Sequence, residues 1–463
     1  MNKKRHDKLI SFFSAILLLI FHTTVFAFIW YRVYHLGLLV PYFRKGNYAI
    51  IFLYSILLLA SNQVFGGLRL GYYKTLDSIV ARTLSLCTAY VAMYLVISLI
   101  SYRLVSPLYI LLAIGLGFVF NVFWTYFSNF IYYKINPPRK MLLIYGESSI
   151  DEVYSKITAR SEKYKIVRHV HYSVGEEKLK KEIAKHEAVI LYDLSASLRN
   201  HLMKYCYEKS IRVYITPKLY DILIRGASEM DLFDTPLLLM RNRGLTPVQA
   251  FFKRSMDLIV SFVCLILTLP IILCIMLAIK CFDKGPIFYH QTRLTLDGKE
   301  FEILKFRSMY TDAEKDSIRL MSKEDDRITP IGKILRRTHL DELPQLFNII
   351  KGEMSFVGPR PERPEIAQIY MTEIPEFAYR LKMKAGLTGY AQVYGKYNST
   401  PYDKLKLDLT YIQNYSIFLD IKLLLLTGKT LFIPDHAEGV RSDFTTALRE
   451  EVAITKEISK EKA

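Results

Sequence analysis

Acidic residues and cysteines are both scarce in this chain of 463 residues, and each shortage excludes something. Asp and Glu number 44 against 62 Lys and Arg, and the resulting net charge of +18 favours anionic lipid headgroups, phosphorylated substrates or nucleic acid as partners. A hydrophobic content of 51% argues against nucleic acid as the main partner and against disorder, while 23% charged residues exclude a uniformly apolar bundle. The five cysteines are an odd number: Cys87, Cys264, Cys274 and Cys281 lie in or beside apolar runs, Cys206 is isolated, and no pair has metal-ligand spacing. They read as reduced filler. The length suggests about three domains.

Long apolar runs come first. After a basic start (Lys3, Lys4, Arg5, Lys8), the stretch from Leu9 to about Tyr31 is too long for a signal-peptide core and lacks a small-residue cleavage pattern, so it reads as a spanning helix. Three more runs follow, near Tyr48 to Ser61, Thr83 to Ser101 and Pro107 to Tyr133. Counting basic flanks puts both ends of this four-helix region, residues 1–136, on the cytoplasmic side. None of the four carries an acidic residue deep inside and polar residues look nearly absent, which favours anchoring over a transport pathway.

Residues 137–245 alternate short β-rich runs with amphipathic stretches, the pattern of a small Rossmann-like α/β domain. Strands are expected at 141–145, 166–171, 188–192, 211–215 and 237–240. The first turn, Gly146-Glu147-Ser148-Ser149, lacks the G-x-G-x-x-G fingerprint that lets a backbone approach a pyrophosphate, so a structural or regulatory role is the plainer expectation.

A further apolar segment, about 253–281, follows Lys253 and Arg254 and ends at Lys280, Asp283 and Lys284. It is long enough to span, but Pro270 sits near its middle and predicts a kink. With basic residues at both ends, a re-entrant helix that dips in and returns is favoured over a Pro-kinked fifth span.

Beyond it lies a polar block: Lys305-Phe306-Arg307, Asp325-Asp326-Arg327, Arg336 to Gln345, and Gly358-Pro359-Arg360-Pro361. Asp341 and Glu342 precede Leu343-Pro344 and an apolar-periodic run, which puts both carboxylates at a helix N-terminus, a place suited to phosphate. One carboxylate of such a pair can attack phosphorus while the other holds a divalent cation, with Lys305, Arg307, Arg336 and Arg360 available to neutralise a pyrophosphate. Mg²⁺ suits this donor set, since it accepts one or two carboxylates and completes its shell with phosphate oxygens and water. Simple stabilisation of the helix dipole is the blander account of an isolated Asp-Glu pair; the surrounding cations weigh against it.

On Arg336 to Gln345 followed by Ser355 to Glu362, the run from about Phe252 to Pro434 resembles the bacterial sugar transferase family, the monotopic polyprenyl-phosphate phosphoglycosyl transferases. The region before it is similar to that of the family's long members. The resemblance implies a membrane α plus α/β protein: a four-helix transmembrane bundle, a degenerate Rossmann-like domain, a catalytic domain at 246–434 and a charged tail at 435–463. It further implies that Asp341 is the nucleophile, Glu342 the Mg²⁺ ligand and Arg336 the catalytic-site arginine. The implied reaction is sugar-1-phosphate transfer from a UDP-sugar, with UDP-glucose or UDP-galactose the expected donor, to undecaprenyl phosphate through a phosphosugar-aspartyl enzyme. UMP is released, as the first membrane step of exopolysaccharide, capsule or O-antigen synthesis. The expected setting is a multi-pass protein of the bacterial inner membrane, a homodimer among membrane lipids, with catalysis on the cytoplasmic face. A non-catalytic membrane scaffold for polysaccharide assembly is the alternative.

The chain departs from the family pattern at Leu269, where a small hydroxyl residue usually precedes the proline, at Ala385 for Pro, at Tyr390 for Trp, and at Lys396, a point charge where Arg usually gives a fork. His339, Asp408, Tyr411 and Asp420 are expected to be structural. The stretch 417–432 is either an interfacial helix or an ordinary core helix.

Overall fold

The fold is taken from a computed structural model that describes residues 7–38, 41–232, 234–240, 244–283, 285–310, 327–395 and 400–431. The basic start at Lys3 to Arg5, the Asp325-Asp326 pair, Lys396 and the tail at 435–463 lie outside the described residues. Two compact units divide the chain, Met1–Pro217 and Lys218–Ala463.

The first unit opens with four helices, α1 (Asp7–Ile29), α2 (Arg44–Phe65), α3 (Thr75–Ile100) and α4 (Leu108–Ile135), each long and apolar enough to cross a membrane. They enclose a shared cluster that includes Phe26, Trp30, Tyr54, Leu58, Leu86, Tyr90 and Met93. Leu36, Leu99, Leu116 and Phe123 stay exposed on the outside, as expected where the solvent is lipid. The expected scarcity of polar residues needs correction. His22, Arg82, Asn121 and Thr125 are buried together: the His22 ring and the Asn121 side chain share a 3.0 Å hydrogen bond, and Arg82 donates to Gly67 O (2.9 Å) and Thr125 Oγ1 (2.8 Å). Asn121, Thr125 and Asn129 recur every four residues on α4, one polar stripe diluted in the average by the aromatic residues between. These groups bond one helix to another, as buried polar residues in helix bundles do.

Next come β1 (Arg139–Tyr145), α5 (Asp151–Thr158), β2 (Tyr164–His171), α6 (Glu176–Ile183), β3 (Ala188–Tyr192), α7 (Ala196–Glu208) and β4 (Arg212–Ile215). The strands form a parallel sheet in the order β2-β1-β3-β4. Leu142, Ile144, Val189 and Leu191 face α6 and α7 through Leu179, Ile183, Leu202 and Cys206. Because the order reverses between β1 and β3, a ligand crevice would open there. It is closed instead: Gly146 N donates to Tyr192 O (3.0 Å), and the Ser148 hydroxyl donates to Asp193 Oδ2 (2.5 Å). A Cβ on Gly146 would stand 1.9 Å from Asp193 O, so this glycine lets the two loops meet rather than admitting a pyrophosphate. Arg160 donates to Tyr72 O (2.8 Å), placing the α2–α3 loop on the same side of the helices as the sheet. That agrees with an even number of crossings before β1.

The second unit begins with α8 (Leu219–Arg225) and a hairpin of β5 (Ser228–Leu232) and β6 (Thr235–Leu239). The fifth strand expected at 237–240 is therefore a hairpin strand, antiparallel to β5, and no part of the parallel sheet. Then α9 runs as one helix from Pro247 to Asp283 with Pro270 inside it. Proline removes the donor to the carbonyl four residues back, that of Ile266, whereas the Thr268 hydroxyl donates to Cys264 O (2.7 Å). Lys253, Asp257 and Ser261 are buried near one end and Ile272, Ile275 and Ile279 near the other, while Phe262, Ile266, Leu267, Leu273 and Leu277 are exposed.

The rest wraps onto those buried residues: the antiparallel pair β7 (Phe288–Leu294) and β8 (Glu300–Phe306), α10 (Pro330–Arg337), α11 (Gln345–Lys351), β9 (Ser355–Val357), α12 (Pro364–Glu373), β10 (Gly386–Thr388), α13 (Tyr390–Tyr394), α14 (Pro401–Gln413) and α15 (Ile417–Leu431). Ile272, Ile275 and Ile279 pack with Phe306 and Leu335, flanked by Leu340 and Leu343. Of the two readings of 417–432, packing favours the core helix, since Asp420 and Leu423 are buried, although Phe418 stays exposed.

Candidate active site

Three elements bring the polar block together. Thr329 caps α10 by accepting from Gly332 N (2.9 Å), and Pro330 occupies the first turn, where its missing N–H costs nothing. The chain then turns through His339, whose φ of 56° is a left-handed conformation uncommon for a residue with a side chain, into a short 3₁₀ turn at Leu340–Glu342. The carboxylates thus occupy their own turn, with α11 starting only at Gln345. Local crowding decides this: Pro344 favours a helix start after it, and the left-handed bend at His339 separates the turn from α10. Asn348 ties α11 to the neighbouring strand by accepting from Leu304 N (3.0 Å) and donating to Glu302 O (2.7 Å). That bolt places Lys305 beside the dyad.

Glu342 Oε1 receives Lys305 Nζ at 2.7 Å and Arg360 Nη2 at 3.3 Å. Burial opposes its ionisation, but Arg360 and Lys305 outweigh that and hold the carboxyl down at about 2. Asp341, 9% exposed, makes no hydrogen bond or ion pair with any described residue. Burial pushes its carboxyl above the usual aspartate range, opposed by Lys305, reinforced by Glu342 and opposed again by Arg336 and His339. Two adjacent carboxylates are thereby differentiated, one firmly ionised and engaged, the other desolvated and without a partner among the described residues.

Of the expected cations, Lys305 and Arg360 reach Glu342 directly. Arg336 donates its Nε to Ser308 Oγ (2.8 Å), and its charge acts on Asp341. Arg307 is placed elsewhere: it is buried in a crevice with Ile279, Phe282, Thr329 and Ile331, at the C-terminal end of α9. Sequence reasoning missed Lys253, Arg254 and Asp257. They sit on the buried face of α9, where Lys253 Nζ donates to Val357 O (2.9 Å), Arg254 to Ile349 O (2.6 Å) and Ile350 O (2.7 Å), and Asp257 accepts from Phe356 N (3.0 Å). Their spacing of one helical turn was the available signal; their place at the head of an apolar run disguised it as a topological flank. Asp408 and Tyr411, expected to be structural, are buried, and Arg380, also missed, pairs with Asp408 at 2.8 Å.

An ionised glutamate clamped by Lys305 and Arg360 beside a desolvated aspartate, with Arg336 acting on that aspartate and a long apolar helix in the same unit, marks a candidate active site of a membrane-associated enzyme. The family profile for bacterial sugar transferases matches residues 248–434, all of the segment that builds this site. The "UDP-glucose:undecaprenyl-phosphate glucose-1-phosphate transferase" of Klebsiella pneumoniae is 42% identical over 219 residues, 46% of this chain and 45% of that one. A protein of the same name from Caulobacter vibrioides is 38% identical, covering 44% of this chain and 79% of that one. The "Uncharacterized sugar transferase EpsL" of Bacillus subtilis is 38% identical over 189 residues, 41% of this chain but 90% of its own length. The chain belongs to the bacterial sugar transferase family. Its match spans a little under half of such long relatives as the Klebsiella protein.

Proposed function

We propose that this protein transfers glucose 1-phosphate from UDP-glucose to undecaprenyl phosphate and releases UMP, through a covalent intermediate on Asp341. The observation that carries the reading is the pair itself: Asp341 buried and without a hydrogen bond or ion pair to any described residue, Glu342 held at Oε1 by Lys305 and Arg360. In the first half-reaction an Asp341 carboxylate oxygen bonds to the β-phosphorus, the bond from that phosphorus to the bridging oxygen breaks, and UMP departs with the electron pair. In the second, an oxygen of the polyprenyl phosphate attacks the same phosphorus and Asp341 leaves as a carboxylate. A carboxylate nucleophile requires no general base. Splitting the transfer lets a soluble nucleotide and a lipid use one site in turn.

The donor set fits Mg²⁺. Glu342 offers a hard, ionised oxygen, and Mg²⁺ takes one or two carboxylates and completes its shell with phosphate oxygens and water. Bound there, Mg²⁺ would neutralise charge on the donor's phosphates; Lys305, Arg336 and Arg360 orient that same group from the protein side.

The membrane seating belongs to the same proposal. A helix buried near both ends, at Lys253, Asp257 and Ser261 and again at Ile272, Ile275 and Ile279, is held at each end by the fold that carries the dyad, while residues 262–271 between them are not buried. Such a helix keeps both flanks on the fold's side while its exposed apolar face enters lipid, which supports re-entrant, monotopic insertion over a fifth crossing. With four crossings upstream, the site then faces the cytoplasm of a bacterial inner membrane at headgroup depth. A homodimer, and the opening step of exopolysaccharide, capsule or O-antigen synthesis, complete the reading.

The test is UMP release from a panel of UDP-sugars by the full chain in detergent with Mg²⁺ and undecaprenyl phosphate. UDP-glucose is expected to be the preferred donor and chelation to stop the reaction; no UMP from any donor would sink the proposal. The acid limb of its pH profile follows from the dyad. Asp341 must be ionised and its carboxyl lies above the ordinary range, so kcat/KM falls as pH drops through a midpoint higher than that of a solvent-exposed aspartate, while Glu342 stays charged throughout. Lys305 favours the Asp341 anion, so Lys305→Met is expected to move that midpoint to higher pH; a midpoint that stays or falls contradicts the assignment.

A further inference from the structure

Four consecutive carbonyls on the loop after β9 are each held by a different donor. Gly386 N bonds to Pro359 O (2.9 Å), Arg380 Nη2 to Arg360 O (2.9 Å), Arg293 Nη1 to Pro361 O (3.1 Å) and Leu294 N to Glu362 O (3.0 Å). Two of the four are side-chain guanidiniums, from β7 and from the 3₁₀ stretch Pro375–Lys382. The loop they grip already has little freedom: Pro359 and Pro361 fix their own φ, Pro361 also restricts Arg360 to extended backbone, and a Cβ on Gly358 would stand 2.2 Å from Lys384 O.

We propose that Arg380 is a positioning residue of the phosphate site, fixing the Arg360 backbone so that the Arg360 guanidinium stands at Glu342 and meets the donor's pyrophosphate. The proposal rests on the transferase reading. Arg360 cannot place itself. Its side chain is 53% exposed and touches Glu342 through one 3.3 Å contact, so its direction is inherited from its backbone. Arg380 is different in kind: its side chain is 4% exposed, its Nε and Nη2 bond Asp408 Oδ2 at 3.0 and 2.8 Å, its Nη1 reaches Glu362 Oε1 at 3.3 Å, and its guanidinium lies over the Phe377 ring. Three anchors leave the Nη2 donor aimed at one carbonyl, that of Arg360. Stability is a weak reason for such a group, because buried ion pairs seldom outperform apolar residues of the same volume, and Ala367, Met371, Phe377 and Leu381 surround this place with apolar neighbours. Geometry is the better reason: a planar fork fixes several acceptors at once, which a lysine cannot do.

The experiment uses the full chain in detergent and the variants Arg380→Lys, Arg360→Gln and their combination, with UDP-glucose as donor. Arg380→Lys is expected to stay folded and to raise KM for UDP-glucose roughly tenfold with a much smaller change in kcat. The double variant is expected to be no worse than Arg360→Gln alone, because a residue that acts through Arg360 has nothing left to position. Losses that multiply would overturn the proposal. Hydrogen exchange tests the clamp independently of turnover: the Gly386 and Leu294 amides, which donate to Pro359 O and Glu362 O, should exchange roughly tenfold faster in Arg380→Lys, and unchanged exchange overturns the clamp. Should Arg380→Lys fail to fold, Asp408→Asn removes the anchor while leaving the arginine, and the same two readouts apply. A wild-type protein that releases no UMP defeats the transferase reading, and the exchange measurement still decides the clamp.

Discussion

Asp341→Asn is expected to abolish UMP release, with a loss of roughly a thousandfold or more, the scale seen when a covalent nucleophile is removed. The substitution is nearly isosteric and replaces a nucleophilic oxygen by an amide that cannot form the phosphosugar intermediate. It should leave the fold alone, because the Asp341 carboxylate makes no bond to any described residue, and relieving a buried charge acts in favour of stability. The check pairs two readings: UMP release under saturating donor, and retention of label on the denatured protein after exposure to UDP-[¹⁴C]glucose without acceptor lipid. Wild type should retain label and the variant none. A variant that still labels, or that turns over within tenfold of wild type, removes Asp341 from the chemistry. Glu342 makes the contrast informative. Its carboxylate is the counter-charge of Lys305 and Arg360, so Glu342→Gln leaves both cations unbalanced and disturbs binding as well as reaction.

The dyad was legible in the sequence because its chemistry is local: two carboxylates side by side, a proline two residues on, and cations within a short stretch. The four apolar helices were legible for a similar reason, since lipid imposes a length and a composition on each segment separately. What escaped depends on distant partners. Lys253 and Arg254, at the head of an apolar run, have the composition of a cytoplasmic flank, yet Lys253 is 4% exposed and bonds a carbonyl 104 positions away. The polar stripe on α4 is invisible to averaged hydropathy, and it is defined by His22 and Arg82 on other helices. Strand β6 has the right residues for a sheet strand; its partner β5, three residues upstream, takes it into a hairpin instead. Arg307 is two residues from Lys305, a spacing that within a strand would put both on one face, but β8 ends at Phe306, and past that end Arg307 is buried beside Ile279 and Phe282 instead.

Lys253→Met is expected to cost about 3–5 kcal/mol of stability, the penalty for leaving one partner of a buried ion pair uncompensated. Lys253 and Asp420 are 2.7 Å apart with side chains 5% and 0% exposed, and the same ammonium bonds Tyr411 OH (3.1 Å) and Val357 O (2.9 Å). A lysine that joins α9, β9, α14 and α15 in this way holds the membrane helix to the strand that leads into the Arg360 loop. Without it, Asp420 keeps one donor, Tyr411 OH at 2.6 Å, and loses its counter-charge. Burial already pushes the Asp420 carboxyl upward against the pull of Lys253, so the variant should take up a proton there, and its stability should improve as pH falls toward the raised value. Thermal unfolding of the full chain in detergent across pH reads both effects. The double variant Lys253→Met with Asp420→Leu should recover most of the loss, because an apolar pair of similar volume avoids the isolated charge. If the single variant melts with wild type at neutral pH, the ammonium is not buried against Asp420 and α9 is held by its apolar contacts alone. If instead the double variant is stable but inactive, the ion pair sets the register of β9 and the loop beyond it, and the helix that enters the membrane is a working part of the site.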